Sequence, residues 1–152
     1  SDDRVTAVMS LTIGSGSLTD ALVRSDPPTM AELDACRESV VAGLEAAEVA
    51  MGSGSRLIAV GGTAEFMAAL TGHQQAAPIE AIDRALATCV GVQSVALAGM
   101  LGIQVARARV LPAGMVVIRT LAEVMGSTVV EIAPSGIRTG LLLEWVAGER
   151  GG

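Results

Sequence analysis

Three observations predict an α/β fold. A short apolar run, Leu57-Ile58-Ala59-Val60, breaks at Gly61-Gly62 and passes into helix-favouring residues from Ala64 onward. Two other stretches, Val5–Ile13 and Thr128–Ala133, carry the Val, Thr and Ile expected of strands. Helix-spaced apolar residues fill the segments between them, and helices interleaved with short strands are the mark of an α/β domain. The 152 residues read as a single domain, 1–152.

Each element has its own signals. Gly14 to Gly16 end the first strand, and Ser17-Leu-Thr-Asp20 starts a short helix reaching about Arg24. Ser25-Asp-Pro-Pro28 is a break. Thr29-Met-Ala-Glu32 has capping-box spacing and opens a helix to about Met51, with Leu33, Cys36, Val40, Leu44, Ala47 and Met51 on one face. Gly52–Ser55 is a loop before the middle strand, which its unbroken apolar run predicts to be buried on both faces. Gly72 to Pro78 read as a loop, followed by helices over 79–90 and 93–101. A further helix runs from Arg107 to Met125, with Pro112 expected in its first turn, where the missing N–H is tolerated. Gly126 stops it. Pro134-Ser-Gly136 turns the last strand, and a final helix is expected from Gly140 to about Ala147.

Composition excludes several functions. Hydrophobic residues make up 51% and aromatics 1%, so the core is built from Ala, Val, Leu, Ile and Met and requires close backbone approach. The formal net charge is −6, and all ten basic residues are Arg. An acidic chain without clustered cations is a poor nucleic-acid binder. Cys36 and Cys89 lack metal-ligand spacing and read as buried thiols of a reduced, cytoplasmic protein. With His73 the single histidine, neither a His-based metal site nor a Ser-His-Asp triad is expected. The uncharged stretch between Arg84 and Arg107 approaches the length of a membrane span. Its Gln93, Ser94, Gln104 and glycines favour a buried helical pair or a homodimer interface instead.

The middle strand and its glycines form the candidate site. A strand that turns through Gly61 and Gly62 into a helix capped by Thr63 would point several amide hydrogens into one small space, with the helix dipole adding positive charge. Gly61, Gly62 and Thr63 are thus either a phosphate or nucleotide corner or a plain tight turn. Glu65 in the next turn reads as a helix-stabilising charge. Arg107 and Arg138 either grip phosphate or tie loops together, while Arg109 reads as solvated. Ser135 and Gly136 are a possible second anion corner. Gly114 and Gly140 read as close-packing glycines.

Four segments in order resemble the second half of the exopolyphosphatase / guanosine pentaphosphate phosphatase (Ppx/GppA) family. They are Ser17-Leu-Thr-Asp20 with Ser25-Asp-Pro-Pro-Thr29, then Val60-Gly-Gly-Thr63, then Arg107-Ala-Arg-Val-Leu-Pro-Ala-Gly114, and Ser135-Gly-Ile-Arg-Thr-Gly-Leu-Leu142. The resemblance implies a ribonuclease H-like half-domain of the actin/sugar-kinase/Hsp70-like type. It also implies hydrolysis of a phosphoanhydride in polyphosphate or a guanosine nucleotide, with Mg2+ in the intact enzyme. The family's Asp-Ile-Gly phosphate loops and general-base Glu belong to a first half-domain that is absent from this sequence. The chain by itself is therefore expected to bind no metal and to supply no catalytic residue. The resemblance leaves Gly61, Gly62, Thr63 and Arg138 as phosphate or nucleotide contacts. Arg107, Gly114, Ser135, Gly136 and Gly140 become structural or cleft-lining residues. Arg109 and Thr139 depart from the family's Asp and Glu, and Ser15-Gly16 replaces its Val-Arg.

Overall fold

A computed structural model describes residues 14–48 and 56–133. Its elements in chain order are α1 (Ser15–Leu22), α2 (Met30–Ala46), β1 (Ile58–Val60), α3 (Gly62–Thr71), β2 (Ala76–Pro78), α4 (Ile79–Gly91), α5 (Ser94–Leu101), α6 (Val105–Met125) and β3 (Val129–Ala133). The fold class is α/β, as expected. The strand expected over Val5–Ile13, the loop at Gly52–Ser55 and the helix from Gly140 lie outside the described residues. So do Ser135, Gly136, Arg138 and Gly140.

The described strands form a mixed sheet in the order β1-β3-β2. β1 pairs parallel to β3, with Ala59 opposite Ile132, and β2 pairs antiparallel, with Ala77 opposite Val130. β2 corrects the loop expected over Gly72–Pro78. Ala-Ala-Pro has little strand propensity, and pairing to β3 decides its conformation. A second correction concerns β1. Ala59 is buried, but Ile58 and Val60 are 42% and 39% exposed, so the strand has one covered face. Successive side chains alternate across a sheet, and among the described residues the helices cover the side of Ala59, Ala77, Val130 and Ile132.

α6 is the central helix, packed against α1, α2, α3, α4 and α5. Leu111, Met115 and Ala122 join Met67, Ile82, Cys89, Leu97 and the sheet in one apolar cluster. Ala113 and Val116 face a second cluster, formed with Leu18, Leu33, Cys36, Val40 and Leu44. A helix that serves two clusters must be apolar around much of its girth, and α6 is buried continuously from Leu111 to Val116. Pro112 therefore sits in the helix interior, not in the first turn, because α6 starts at Val105. It cannot donate to the carbonyl of Ala108, and burial of its ring in the core compensates. Both thiols are buried and free; desolvation raises the Cys89 pKa to about 11, which makes it a packing group.

Helix starts shift for local reasons. α1 begins at Ser15 with Gly14 as its cap, two residues before the expected Ser17. α2 has the expected capping box, with the Glu32 N–H donating to Thr29 Oγ1 at 3.1 Å. The Glu32 carboxylate also accepts from the N–H groups of Thr29, Arg24 and Ser25, at 2.9, 2.5 and 3.1 Å. These bonds, that from Thr29 first, lower its pKa from 4.5 to about 2. A depressed carboxylate pKa gives stability that is complete above the unfolded value and lost as pH falls through the folded one. Thermal stability should therefore decline between pH 4.5 and about 2. Glu32→Gln should lose about 1 kcal/mol at neutral pH, the usual worth of a cap, and flatten that acid limb in melts recorded against pH.

Arg109 corrects the expectation of a solvated side chain. It donates to the carbonyls of Ser25 and Val23, at 2.6 and 3.2 Å, and ties α6 to the turn after α1. In that turn Asp26 accepts from the backbone N–H of Ser94 at 2.8 Å and from its hydroxyl, holding the start of α5.

Candidate anion site at the Gly61–Thr63 corner

The corner is built by one unusual residue. Gly61 caps α3 at φ +107° and ψ −170°, a conformation open to glycine and costly for other residues. This turn lets the helix start at Gly62, so Thr63 lies inside the first turn and is not its cap. The first helical bond runs from the Glu65 N–H to the Gly61 carbonyl, at 3.0 Å. The amides of Gly62, Thr63 and Ala64 precede it and have no carbonyl partner within the helix. Gly62 is exposed, and Gly61 and Thr63 are half-buried, so solvent reaches the turn.

Gly114 positions the corner. A Cβ built there would lie 2.8 Å from both Cγ2 and Oγ1 of Thr63 and 3.2 Å from Cβ of Ser15. The absent side chain lets α6 receive the first turns of both α3 and α1 at one point. The close-packing role expected of Gly114 is thus given specific neighbours. The approach of Ser15 is not visible in the sequence, where Gly14 to Gly16 read as a strand end.

Beside the corner is an open cleft of about 320 Å³, lined by Gly62, Thr63, Phe66, Arg107, Val110 and Leu111. The structure brings Arg107, in the first turn of α6, to the same cleft as Gly62 and Thr63. Arg37, Arg56 and Arg119 are occupied by Glu123, Glu131 and Asp83. Arg107 is exposed and has no ion-pair partner among the described residues. Its alternative role as a loop tie falls instead to Arg109. Phe66 is a lining residue that the sequence did not single out; its signal was its place one helical turn after Gly62.

Among the described residues no three His, Cys, Asp or Glu side chains cluster as metal ligands. The uncharged segment leaves Val95, Met100 and Val105 exposed at 66%, 60% and 44%. No single described helix is long and apolar enough to cross a membrane; α5 and α6 pass that test only as a pair bent by 96°.

The profile of the Ppx/GppA phosphatase family matches residues 1–149. The chain belongs to that family. Solved structures carry the same fold. The Ppx/GppA enzyme of Aquifex aeolicus superposes with a TM-score of 0.80 at 23% identity, over 93% of this chain and 50% of that one. A type II variant of the Aquifex aeolicus Ppx/GppA phosphatase gives 0.78 at 22%, over 93% and 50%. An exopolyphosphatase from Cytophaga hutchinsonii gives 0.71 at 14%, over 91% and 50%. A search of curated proteins returns no match. The chain spans about half the length of the solved structures it resembles. Its architecture is that of a Ppx/GppA half-domain of the ribonuclease H-like class.

Proposed function

We propose that this chain is the second, C-terminal half of a phosphoanhydride hydrolase core and holds the phosphate end of its ligand at Gly61–Thr63. The observation that carries this reading is the glycine-only turn at Gly61, which starts α3 beside a cleft that Gly62 and Thr63 share with Arg107. Amides at a helix start and a guanidinium complement the same anion from two directions. Polyphosphate or a guanosine nucleotide is the ligand class that the family suggests, and Arg138 is proposed as a further phosphate contact. A partner half-domain would supply the opposite wall, the base and the attacking water. The described residues do not fit a Mg2+ site, so no step is assigned to a metal on this chain.

Binding without turnover is the expected behaviour. Incubated with Mg2+ and either polyphosphate or guanosine pentaphosphate, the chain should release no phosphate above the blank. Release at about 1 s⁻¹ or faster, within the ordinary enzymatic range, would contradict the missing wall.

A further inference from the structure

We infer that Arg109 is a positioning residue for the phosphate site: its grip on the segment between α1 and α2 fixes the first turn of α6, and with it the place of Arg107 in the cleft. This rests on the phosphate reading of the Gly61–Thr63 corner.

Neither α5 nor α6 secures its own start. Their caps, Gln93 and Gln104, make no side-chain capping bond. Both helices are held instead from the segment between α1 and α2. Asp26 accepts from the N–H of Ser94, the first residue of α5, at 2.8 Å. Arg109, half-buried near the start of α6, donates to the carbonyls of Ser25 and Val23 at 2.6 and 3.2 Å. The segment is itself fixed, because the N–H groups of Arg24 and Ser25 donate to Glu32 of α2 at 2.5 and 3.1 Å. Ser25 is therefore gripped at both backbone polar groups, its N–H by Glu32 and its carbonyl by Arg109.

Helical geometry carries this grip to the cleft. Residues two apart on a helix project about 200° from one another, so Arg107 and Arg109 leave α6 on nearly opposite sides. Arg109 meets the α1–α2 segment, and Arg107 lines the cleft with Gly62 and Thr63. The contact of α6 with Thr63 at Gly114 lies about two turns beyond Arg107. A helix end pinned only that far away frays at little cost, and an uncapped end has no local bond to resist it. The Arg109 grip lies within the same turn as Arg107 and holds that turn in advance of binding. Without it, a phosphate on Arg107 must order the turn, and affinity falls by that ordering cost.

The test is calorimetric titration with inorganic tripolyphosphate of the unmodified chain, Arg109→Gln, Arg109→Lys, Arg107→Ala and the two double variants. Arg109→Lys keeps the charge and the aliphatic stem, but one ammonium does not span two carbonyls as the planar guanidinium does. Both Arg109 variants should weaken binding by about tenfold, close to the loss in Arg107→Ala. In the Arg107→Ala background neither should weaken it further by more than about twofold, the mark of residues that act as one unit. Should Arg109→Gln fail to melt cooperatively, the cycle with Arg109→Lys decides alone. Unchanged binding in the Arg109 variants, or the same loss with Arg107 already removed, would overturn the inference and leave the phosphate corner standing. So would Arg109→Lys binding as the unmodified chain does while Arg109→Gln binds weakly, since charge and not the grip would then be at work. Absence of binding by the unmodified chain, melting cooperatively, would overturn both.

Discussion

Gly114→Ala should lower the stability of this chain, although the substitution improves helix propensity. Alanine inside a helix is favoured over glycine by about 0.8–1.0 kcal/mol, and that gain would apply fully in open space. At Gly114 the new Cβ falls 2.8 Å from two side-chain atoms of Thr63 and 3.2 Å from Ser15. Neither neighbour is the far end of a flexible side chain. Thr63 is β-branched and restricted at χ1 on a helix, so relief requires moving α3 or α1 away from α6. Overpacking of this kind costs about 1–3 kcal/mol, and the clash outweighs the propensity gain. A net loss of up to about 2 kcal/mol lowers the melting temperature by up to about 8 °C. Adding Thr63→Ala removes both atoms nearest the clash and should restore most of the loss. If Gly114→Ala melts higher than the unmodified chain, the close approach of α3 to α6 is wrong.

Gly61→Ala and Gly62→Ala should behave oppositely, although the two glycines are adjacent. A Cβ on Gly61 meets no heavy atom within 4 Å, so sterics with the rest of the fold are not the issue. Its backbone is the issue: φ +107° with ψ −170° costs a non-glycine residue about 1–3 kcal/mol. Gly62 is already helical, and its Cβ would make an ordinary contact with Phe66 at 3.8 Å. Gly62→Ala should therefore fold at least as stably as the original. The Gly61 variant can relieve its strain by turning the first amides of α3 away from the corner. A hydrogen bond to a charged group is worth about 1.5–3 kcal/mol, so loss of one contact should weaken phosphate binding by about tenfold or more. Calorimetric melts and a phosphate titration of both variants check the pair.

Particular residues show how much was legible beforehand. Leu57–Val60 followed by two glycines fixed the strand and turn, because a buried apolar run and glycine breakers are local signals. Thr29 and Glu32 specified their capping box through a spacing of three. Position along the turn was less visible. Thr63 looks like a helix cap, but the cap is Gly61, whose positive φ starts α3 at Gly62. Ala76–Pro78 carries no strand signal, because its pairing partner β3 is about fifty residues away in sequence. Arg109 looks solvated along α6, and only the fold brings the carbonyls of Val23 and Ser25 to its guanidinium. The cleft followed the same rule: Gly62 was legible, while Phe66 joined it through packing, as Ser15 did at Gly114 outside the cleft lining.

An amide-resolved NMR titration of the 152-residue chain with inorganic tripolyphosphate tests the central claim most directly. The largest saturating shifts should fall on the N–H groups of Gly62, Thr63 and Ala64, with the Arg107 side-chain resonance moving in step. Saturating shifts confined to other arginines, with these three amides unmoved in a folded chain, would contradict it.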